Sequence, residues 1–239
     1  MGHRILYIPR PVNPIFYPEY GLLYNWYVAT DTRKISSSDD WVVPTRVQWR
    51  ALADYLGAAG NYYTNNVGGK LKETGLTHWA SPNTSATNEV NFNAKPSGLR
   101  TETGAISSLT QQFRAWSSNN VSSNVYEYLL YYNIAEFDES AFNMESGRAL
   151  RLLYVGAGTP TSYTGNDGKV YRVVTIGTQI WLADNLTETR FRNGDIIPWY
   201  GANSANYFTN AEWAALTTAG CCAYKNTLSN VAAGFSFPT

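Results

Sequence analysis

The chain is 239 residues long, which is enough for one large or two small domains that each bury a hydrophobic core. Its 18 basic residues are balanced by 18 acidic residues and only 15% of all residues are charged, so it lacks the basic excess that a nucleic-acid-binding face requires. No run of about 18 apolar residues occurs, so no membrane insertion is predicted. The 18 Tyr, 8 Trp and 9 Phe form a large aromatic set, of the kind that serves both cores and recognition surfaces.

Residues 1–19 are predicted to form a Pro-rich arm. Prolines at positions 9, 11, 14 and 18 favour an extended chain and interrupt any apolar segment that could act as a secretory signal peptide. We expect the arm to lie on its own domain or on a partner. A homo-oligomer that assembles through this arm is therefore one expected arrangement.

The first predicted helix begins at Thr45. Thr45 and Gln48 have the spacing of a capping box, in which each side chain bonds a backbone N–H at the start of the helix. Gly57 is expected to end the helix in the left-handed conformation. The apolar residues between these signals recur at helical spacing and should form one buried stripe: Trp49, Leu52, Ala53 and Leu56.

A second helix and two free thiols are predicted near the C-terminal end. Thr209 and Glu212 repeat the capping-box spacing, and Gly220 is expected to end this helix. Cys221 and Cys222 are the only cysteines of the sequence and are adjacent. Adjacent cysteines can close only a strained ring, so two free thiols are predicted and a disulfide scaffold is excluded.

The remaining sequence predicts short strands separated by long loops. Residues 170–176 are rich in β-branched side chains, and Gly177-Thr178 should turn them into a hairpin with residues 179–183. Residues 124–133 and 149–155 are also rich in strand-forming side chains. Few helices and many short strands predict an α+β fold.

Catalytic and metal sites are not predicted. His3 and His78 are too few for a histidine-based metal cluster, and His78 is expected to pack or cap a loop. The run from Gly68 to Leu71 lacks the upstream glycine and the hydroxyl residue of a phosphate loop. The acidic pairs are scattered and each is expected in a solvated loop: Asp39-Asp40, Asn88-Glu89 and Asp138-Glu139. No cofactor, metal or enzymatic activity is therefore expected.

Residues 112–143 are a polar and aromatic tract, QFRAWSSNNVSSNVYEYLLYYNIAEFDESAFN. Asn and Ser hydrogen-bond adaptably, whereas Tyr and Phe provide rigid contact area, and this combination is typical of recognition surfaces. An ordinary strand with a turn on either side is the alternative. Trp116 is expected in the core under both interpretations.

Long stretches of the chain resemble the Fibrobacter succinogenes major paralogous domain. In residues 20–153 they are YGLLYNWYVATDTRK, WVVPTRVQWRALADYLG, GGKLKETGLTHWASPNTSATNEVNF and AWSSNN; in residues 163–226 they are NDGKVYRVVTIGTQIWLADNLTETRFRNGDIIPW and AEWAALTTAGCCAYKN. The resemblance implies a C-type-lectin-like domain with two helices, short antiparallel strands and long loops. It also implies a binding role at the surface of Bacteroidetes or their phages. Some family members are targets of diversity-generating retroelements, which mutate a segment like the one after AWSS.

The two resembling blocks stand in inverted order, and RALRLLY replaces the FSVRCV-like ending of many members. Residues 20–153 resemble the C-terminal half of the domain and residues 169–239 the N-terminal half, with residues 154–168 as a linker. One circularly permuted domain is the favoured expectation. The alternative is that residues 169–239 begin a second domain, which is swapped with a neighbouring chain in a homo-oligomer.

These features predict a non-enzymatic ligand-binding module. We expect a phage receptor-binding or tail-associated adhesin, or a surface protein, located on a virion or an extracellular surface. Its partner would be a cell-surface protein or glycan, with no nucleic acid. A structural virion or array subunit is the alternative, while an enzyme on a formylglycine-generating scaffold conflicts with the adjacent cysteines. The residues expected to contact the ligand are Asn119, Asn120, Asn124, Tyr126, Tyr128, Tyr131 and Asn133.

Overall fold

The computed structural model describes residues 20–199 and 208–224, so the predicted arm at residues 1–19 and His3 lie outside the described residues. The helices are α1 (Trp26–Thr30), α2 (Arg46–Tyr55), α3 (Val67–Leu71) and α4 (Asn210–Ala214). The strands are β1 (Leu23–Tyr24), β2 (Trp41–Val42), β3 (Leu99–Arg100), β4 (Ile106–Ser107), β5 (Gln112–Val121), β6 (Asn124–Tyr131), β7 (Phe137–Asn143), β8 (Leu153–Tyr154), β9 (Ser162–Thr164), β10 (Val170–Ile176), β11 (Gln179–Leu182) and β12 (Cys221–Cys222). The α+β class is confirmed, with short helices and mostly antiparallel strands.

Helix α2 forms as predicted. The Thr45 side chain accepts from the Gln48 N–H, the Gln48 side chain accepts from the Thr45 N–H, and Gly57 follows the helix with a φ of +107°. The predicted apolar stripe is buried. Local signals were therefore sufficient to define this helix.

Helix α4 begins at its predicted capping box of Thr209 and Glu212, but it ends earlier than expected. Its C-cap residue is Ala215, five positions before Gly220. Asn25 explains the difference, because its amide group donates to the Thr218 carbonyl and accepts from the Gly220 N–H. These two bonds from a distant segment hold the chain out of helical conformation, so the prediction of Gly220 as the stop is wrong.

Two sheets dominate the fold. The first has the strand order β5-β6-β7, and the second has the order β2-β8-β11-β10-β9. The predicted hairpin is confirmed as β10 and β11, with Ile176 opposite Gln179 and Gly177 at a φ of +59°. Two further pairs, β1-β12 and β3-β4, complete the strand pairing of the described residues.

The strand predicted at residues 149–155 is confined to β8, because the preceding residues connect different sheets. The Ala149 N–H donates to the carbonyl of Arg114 in β5, which belongs to the first sheet. The Leu150 and Leu152 carbonyls instead accept from the N–H groups of Leu186 and Leu182. Leu150 and Leu152 are fully buried. The segment is therefore a buried crossing between the sheets, which its apolar composition does not distinguish from a strand.

The segment predicted as a linker contributes in part to the second sheet. Strand β9 pairs with β10, and Tyr163 at its centre is 2% exposed between Trp41 and Tyr171. A flexible linker was expected from the Gly, Thr and Ser content, but three of these residues pair with β10 and the Val155 N–H bonds to the Asp40 carbonyl.

The two blocks of the sequence are hydrogen-bonded to each other within the chain. Strand β1 pairs with β12, with Leu23 opposite Cys222, and β8 pairs with β11, with Leu153 opposite Trp181. The core surrounds these pairings, and Trp116 is fully buried in it as predicted. The β5–β6 hairpin therefore belongs to a body in which the two blocks are joined by strand pairing.

Candidate functional site

The polar and aromatic tract folds into strands β5, β6 and β7. Strand β5 pairs with β6 through Trp116 opposite Glu127, and pairing resumes with Asn120 opposite Val125. Residues 117–119 therefore oppose Tyr126 alone. This irregularity is a bulge that directs the backbone after Trp116 out of the sheet.

The bulge is attached to both neighbouring helices. The Ser118 N–H donates to the Pro44 carbonyl at 2.8 Å, and the Ser117 carbonyl accepts from the Trp26 indole at 2.9 Å. The Asn119 side chain accepts from the Arg46 N–H at 2.6 Å, and so satisfies one of the free N–H groups at the start of α2. The bulge is thus held in place by the body of the fold.

Four of the seven predicted ligand residues lie together at the hairpin tip, which we call the tip surface: Asn119, Asn120, Asn124 and Tyr126. The first two are exposed and the other two are half-buried. The Arg46 guanidinium lies 3.8 Å from the centre of the Tyr126 ring, which restricts the ring by a cation–π contact. The tip surface therefore combines exposed amide groups with one orientated aromatic ring.

Tyr131 and Asn133 lie at the opposite end of β6. Seven residues of extended strand separate Asn124 from Tyr131, a span of roughly 23 Å. Asn133 is exposed, whereas Tyr131 is half-buried and burial raises the pKa of its hydroxyl. The predicted residues thus divide between the two ends of the hairpin, because residues close in sequence along a strand can lie far apart on its surface.

Tyr128 was expected at the ligand surface but is fully buried, and this expectation is corrected. Its ring stacks between Trp49 and Phe137, with centroid distances of 5.1 and 5.2 Å. Its hydroxyl donates to Glu139 at 2.6 Å. Helix α2 crosses this face of the sheet, and its covering of Tyr128 could not be inferred from the tract alone.

Glu139 is the centre of a buried ion network that the sequence analysis missed. Its carboxylate accepts from Arg46 at 2.6 Å and from Arg50 at 2.8 Å, while only 3% of the residue is exposed. Although burial opposes ionisation, the hydrogen bonds from these arginines and from Tyr128 lower the pKa of Glu139 to about 2. The predicted solvated loop at Asp138-Glu139 is therefore wrong, because both residues belong to β7.

A second buried network lies on the other face of the sheet. Glu127 is fully buried and pairs with Arg148 and Arg114, and it also accepts from the Ser140 hydroxyl at 2.9 Å. The positive charge of Arg148 and Arg114 lowers the pKa of Glu127 against the effect of its burial. The sequence contained a signal for this network, because Glu127 is a charged residue among strong strand formers, and such a residue often has a buried partner.

A cleft of about 460 Å³ opens beside the bulge, between α1, β2 and the start of α2. This volume is in the range of small-ligand sites. Its floor is apolar, formed by Ile35, Trp41 and Val43, and its side nearest the bulge is polar, formed by Thr45, Gln48 and Ser118. The cleft and the tip surface are therefore adjacent, with the bulge as their common wall.

The charges at the rim of the cleft are balanced. Asp31 and Asp39 oppose Lys34 and Arg192, and Arg192 pairs with Asp39 at 2.8 Å. The rim consequently has no excess of either sign. This arrangement suits a ligand with little net charge, bound through apolar contact and hydrogen bonds.

The cysteines are free, as predicted, and fully buried. Burial raises the pKa of both the Cys221 and the Cys222 thiol. Reactive or metal-binding thiols require access and a lowered pKa. Neither the Cys221 nor the Cys222 thiol has the access and the lowered pKa of a reactive thiol.

His78 packs in a loop as predicted, with its Nδ1 at 2.6 Å from Glu73 and its ring edge-on to Tyr20. Within residues 20–199 and 208–224, no three His, Cys, Asp or Glu side chains are grouped so that they could hold a metal ion. None of the helices in the same ranges has the length and apolar character needed to cross a membrane.

Comparison with known proteins identifies one family. The model of the Fibrobacter succinogenes major domain matches residues 13–164, which is more than half of the chain. The match ends at β9, so most of the second resembling block lies beyond it. No curated protein and no solved structure matches the chain.

Proposed function

The chain belongs to the Fibrobacter succinogenes major domain family, and on this basis we propose that it is a non-enzymatic ligand-binding module. The contact surface is the tip surface together with the adjacent cleft. The bulge carries this proposal, because it presents exposed amides on a backbone that is bonded to two helices. A preformed surface of this kind binds with little loss of conformational entropy.

The chemistry of the surface supports a neutral or weakly charged ligand. Asn119 and Asn120 offer donors and acceptors, Tyr126 offers a held aromatic ring, and the cleft offers an apolar floor. Such a combination fits a cell-surface protein or glycan on a bacterium. We accordingly propose a receptor-binding role on a virion or an extracellular surface.

A C-type-lectin-like fold with permuted halves is part of the same proposal. Its support is the pairing of β8 with β11 and of β1 with β12, which joins the two blocks within one chain. The strand-rich α+β class is also compatible with it. Diversification of the tract by a retroelement is a separate proposal, which sequencing of the locus in related phages and bacteria tests.

The test is a binding screen of the labelled chain against arrays of bacterial glycans and surface proteins and against whole bacterial cells. The wild-type chain is expected to bind at least one target. Asn120→Ala and Tyr126→Ala should each weaken that binding by about tenfold or more, as interface hot spots do. The melting temperature of Asn120→Ala should remain at the wild-type value because its side chain is exposed.

The matched control is Thr178→Ala, in the exposed turn between β10 and β11. A Cβ atom on its neighbour Gly177 would lie 2.8 Å from the ring of Tyr55, at the other end of α2 from the bulge. This variant should bind like the wild type. Equal binding by all three variants, or binding by none of the proteins including the wild type, would contradict the proposed surface.

A further inference from the structure

The segment from Gly68 to Lys72 presses against two loops at the far end of β6. A Cβ atom on Gly68 would lie 2.0 Å from the Glu136 carbonyl oxygen, and one on Gly69 would lie 2.3 Å from that of Ser85. Any larger side chain would therefore collide with the backbone of both loops. The two glycines, which do not belong to a phosphate loop, are required for this close approach.

Lys72 follows these glycines and is fully buried. Its ammonium group donates to the carbonyl oxygens of Thr84 at 2.8 Å, Tyr131 at 2.9 Å and Ile134 at 2.9 Å. An ammonium group has three N–H donors, so all of them are used. Thr84 and Ile134 lie in the two loops that α3 contacts, and Tyr131 is the last residue of β6.

No carboxylate in the described part of the chain forms an ion pair with Lys72. Burial lowers the pKa of its ammonium group to about 8. A buried charge without a counter-ion is costly unless its surroundings solvate it. Here the solvation comes from main-chain carbonyl oxygens, the type of ligand by which proteins hold small hard cations.

We propose that the carbonyl oxygens of Thr84, Tyr131 and Ile134 form a cation site that the chain fills with its own Lys72 ammonium group. The site positions the segment that carries Tyr131 and Asn133. When the lysine side chain is shortened, the same oxygens bind a small alkylammonium ion from solution. This inference is independent of the proposed binding function, since it concerns the fold of the loops and not their ligand.

The experiment is chemical rescue of Lys72→Ala. The variant should melt roughly 5 °C or more below the wild type, because three buried carbonyl oxygens lose their donors. Propylammonium chloride, added at constant ionic strength, should restore at least half of that loss. Tetramethylammonium chloride should not restore it, because this ion carries the charge but has no N–H donor.

Two variants separate the site from general effects. Lys72→Met fills the space of the side-chain stem without a charge, so it should be destabilised but not rescued. Lys70→Ala removes a partly exposed lysine that lies 3.6 Å from Glu89 and should respond to neither ion. Wild-type stability in Lys72→Ala, or equal rescue by both ions, would overturn the proposal.

A measurement on the wild-type chain covers the case in which Lys72→Ala fails to fold. At pH 6 the ¹⁵N-labelled chain should give a slowly exchanging lysine ammonium signal that Lys72→Met lacks and Lys70→Ala retains. Such slow exchange requires donors that are held by acceptors away from water. If no lysine ammonium signal survives exchange, the group is not bound in this site and the inference is wrong.

Discussion

At the tip of the β5–β6 hairpin, Asn119 and Asn120 are exposed, whereas at its centre Glu127 and Tyr128 are fully buried. The two regions belong to one tract, and they differ in what lies above them. Solvent faces the tip, while helix α2 covers the side of the centre that carries Tyr128. Polar and aromatic composition therefore identifies a region able to make specific contacts but does not say whether the partner is a ligand or the protein itself.

The centre of the hairpin also carries buried charges, and each of them is paired. Glu139 has two arginine partners and Glu127 has two, so each buried carboxylate is matched by hydrogen-bonded cations. Breaking such a network is costly because it leaves a charge without its partner. At the tip, water can replace any lost hydrogen bond, so substitutions there should affect stability much less.

Tyr128→Ala should give the largest effect on stability. Removing a fully buried aromatic ring should lower the free energy of unfolding by about 3–5 kcal/mol. Tyr126→Ala, two residues along the same face, should lower it by about 1 kcal/mol, since the loss is mainly a cation–π contact. Urea unfolding of both variants measures the difference, and equal losses would mean that the tip and the centre are not distinct.

Acid should weaken the centre of the hairpin in part through Glu139. The folded-state pKa of about 2 lies below the usual value of 4.5, so this stabilisation is complete above pH 4.5 and is lost as the pH falls towards 2. The loss should be on the order of 2–3 kcal/mol. It is measured as the difference in free energy of unfolding between the wild type and Glu139→Gln, which should shrink across this window.

Taking this difference removes the contribution of other acids. Burial raises the pKa of Glu188 to about 8, and it titrates equally in both proteins. Glu89→Gln is the control, because Glu89 is exposed and makes only a 3.6 Å pair with Lys70. A constant difference between wild type and Glu139→Gln from pH 7 to pH 2 would refute the network as the source of acid sensitivity.

Asn119→Ala should give the smallest resolved effect. Its side chain caps the Arg46 N–H, so its removal should cost about 0.5–1 kcal/mol. Asn120→Ala, its exposed neighbour, should change stability by less than about 0.5 kcal/mol. Thermal unfolding compares the pair; identical values would show that the bulge is not held to α2 by this side chain.

Some elements were predictable because their causes are close together in the sequence. The capping boxes of α2 and α4 and the turn at Gly177 depend on residues within four positions of each other. The family could also be recognised from contiguous motifs. The end of α4 was not predictable, because Asn25 determines it from almost 200 residues away.

The sequence by itself determined the α+β class, the family, the start of both predicted helices and the presence of a tract suited to specific contacts. Only the tertiary structure decided which of those contacts are internal. Arg46 and Glu139 are 93 residues apart, and Lys72 meets carbonyl groups up to 62 residues away. Burial depends on such distant neighbours, so Tyr128 became core and Asn120 remained at the surface, although both lie in the same tract.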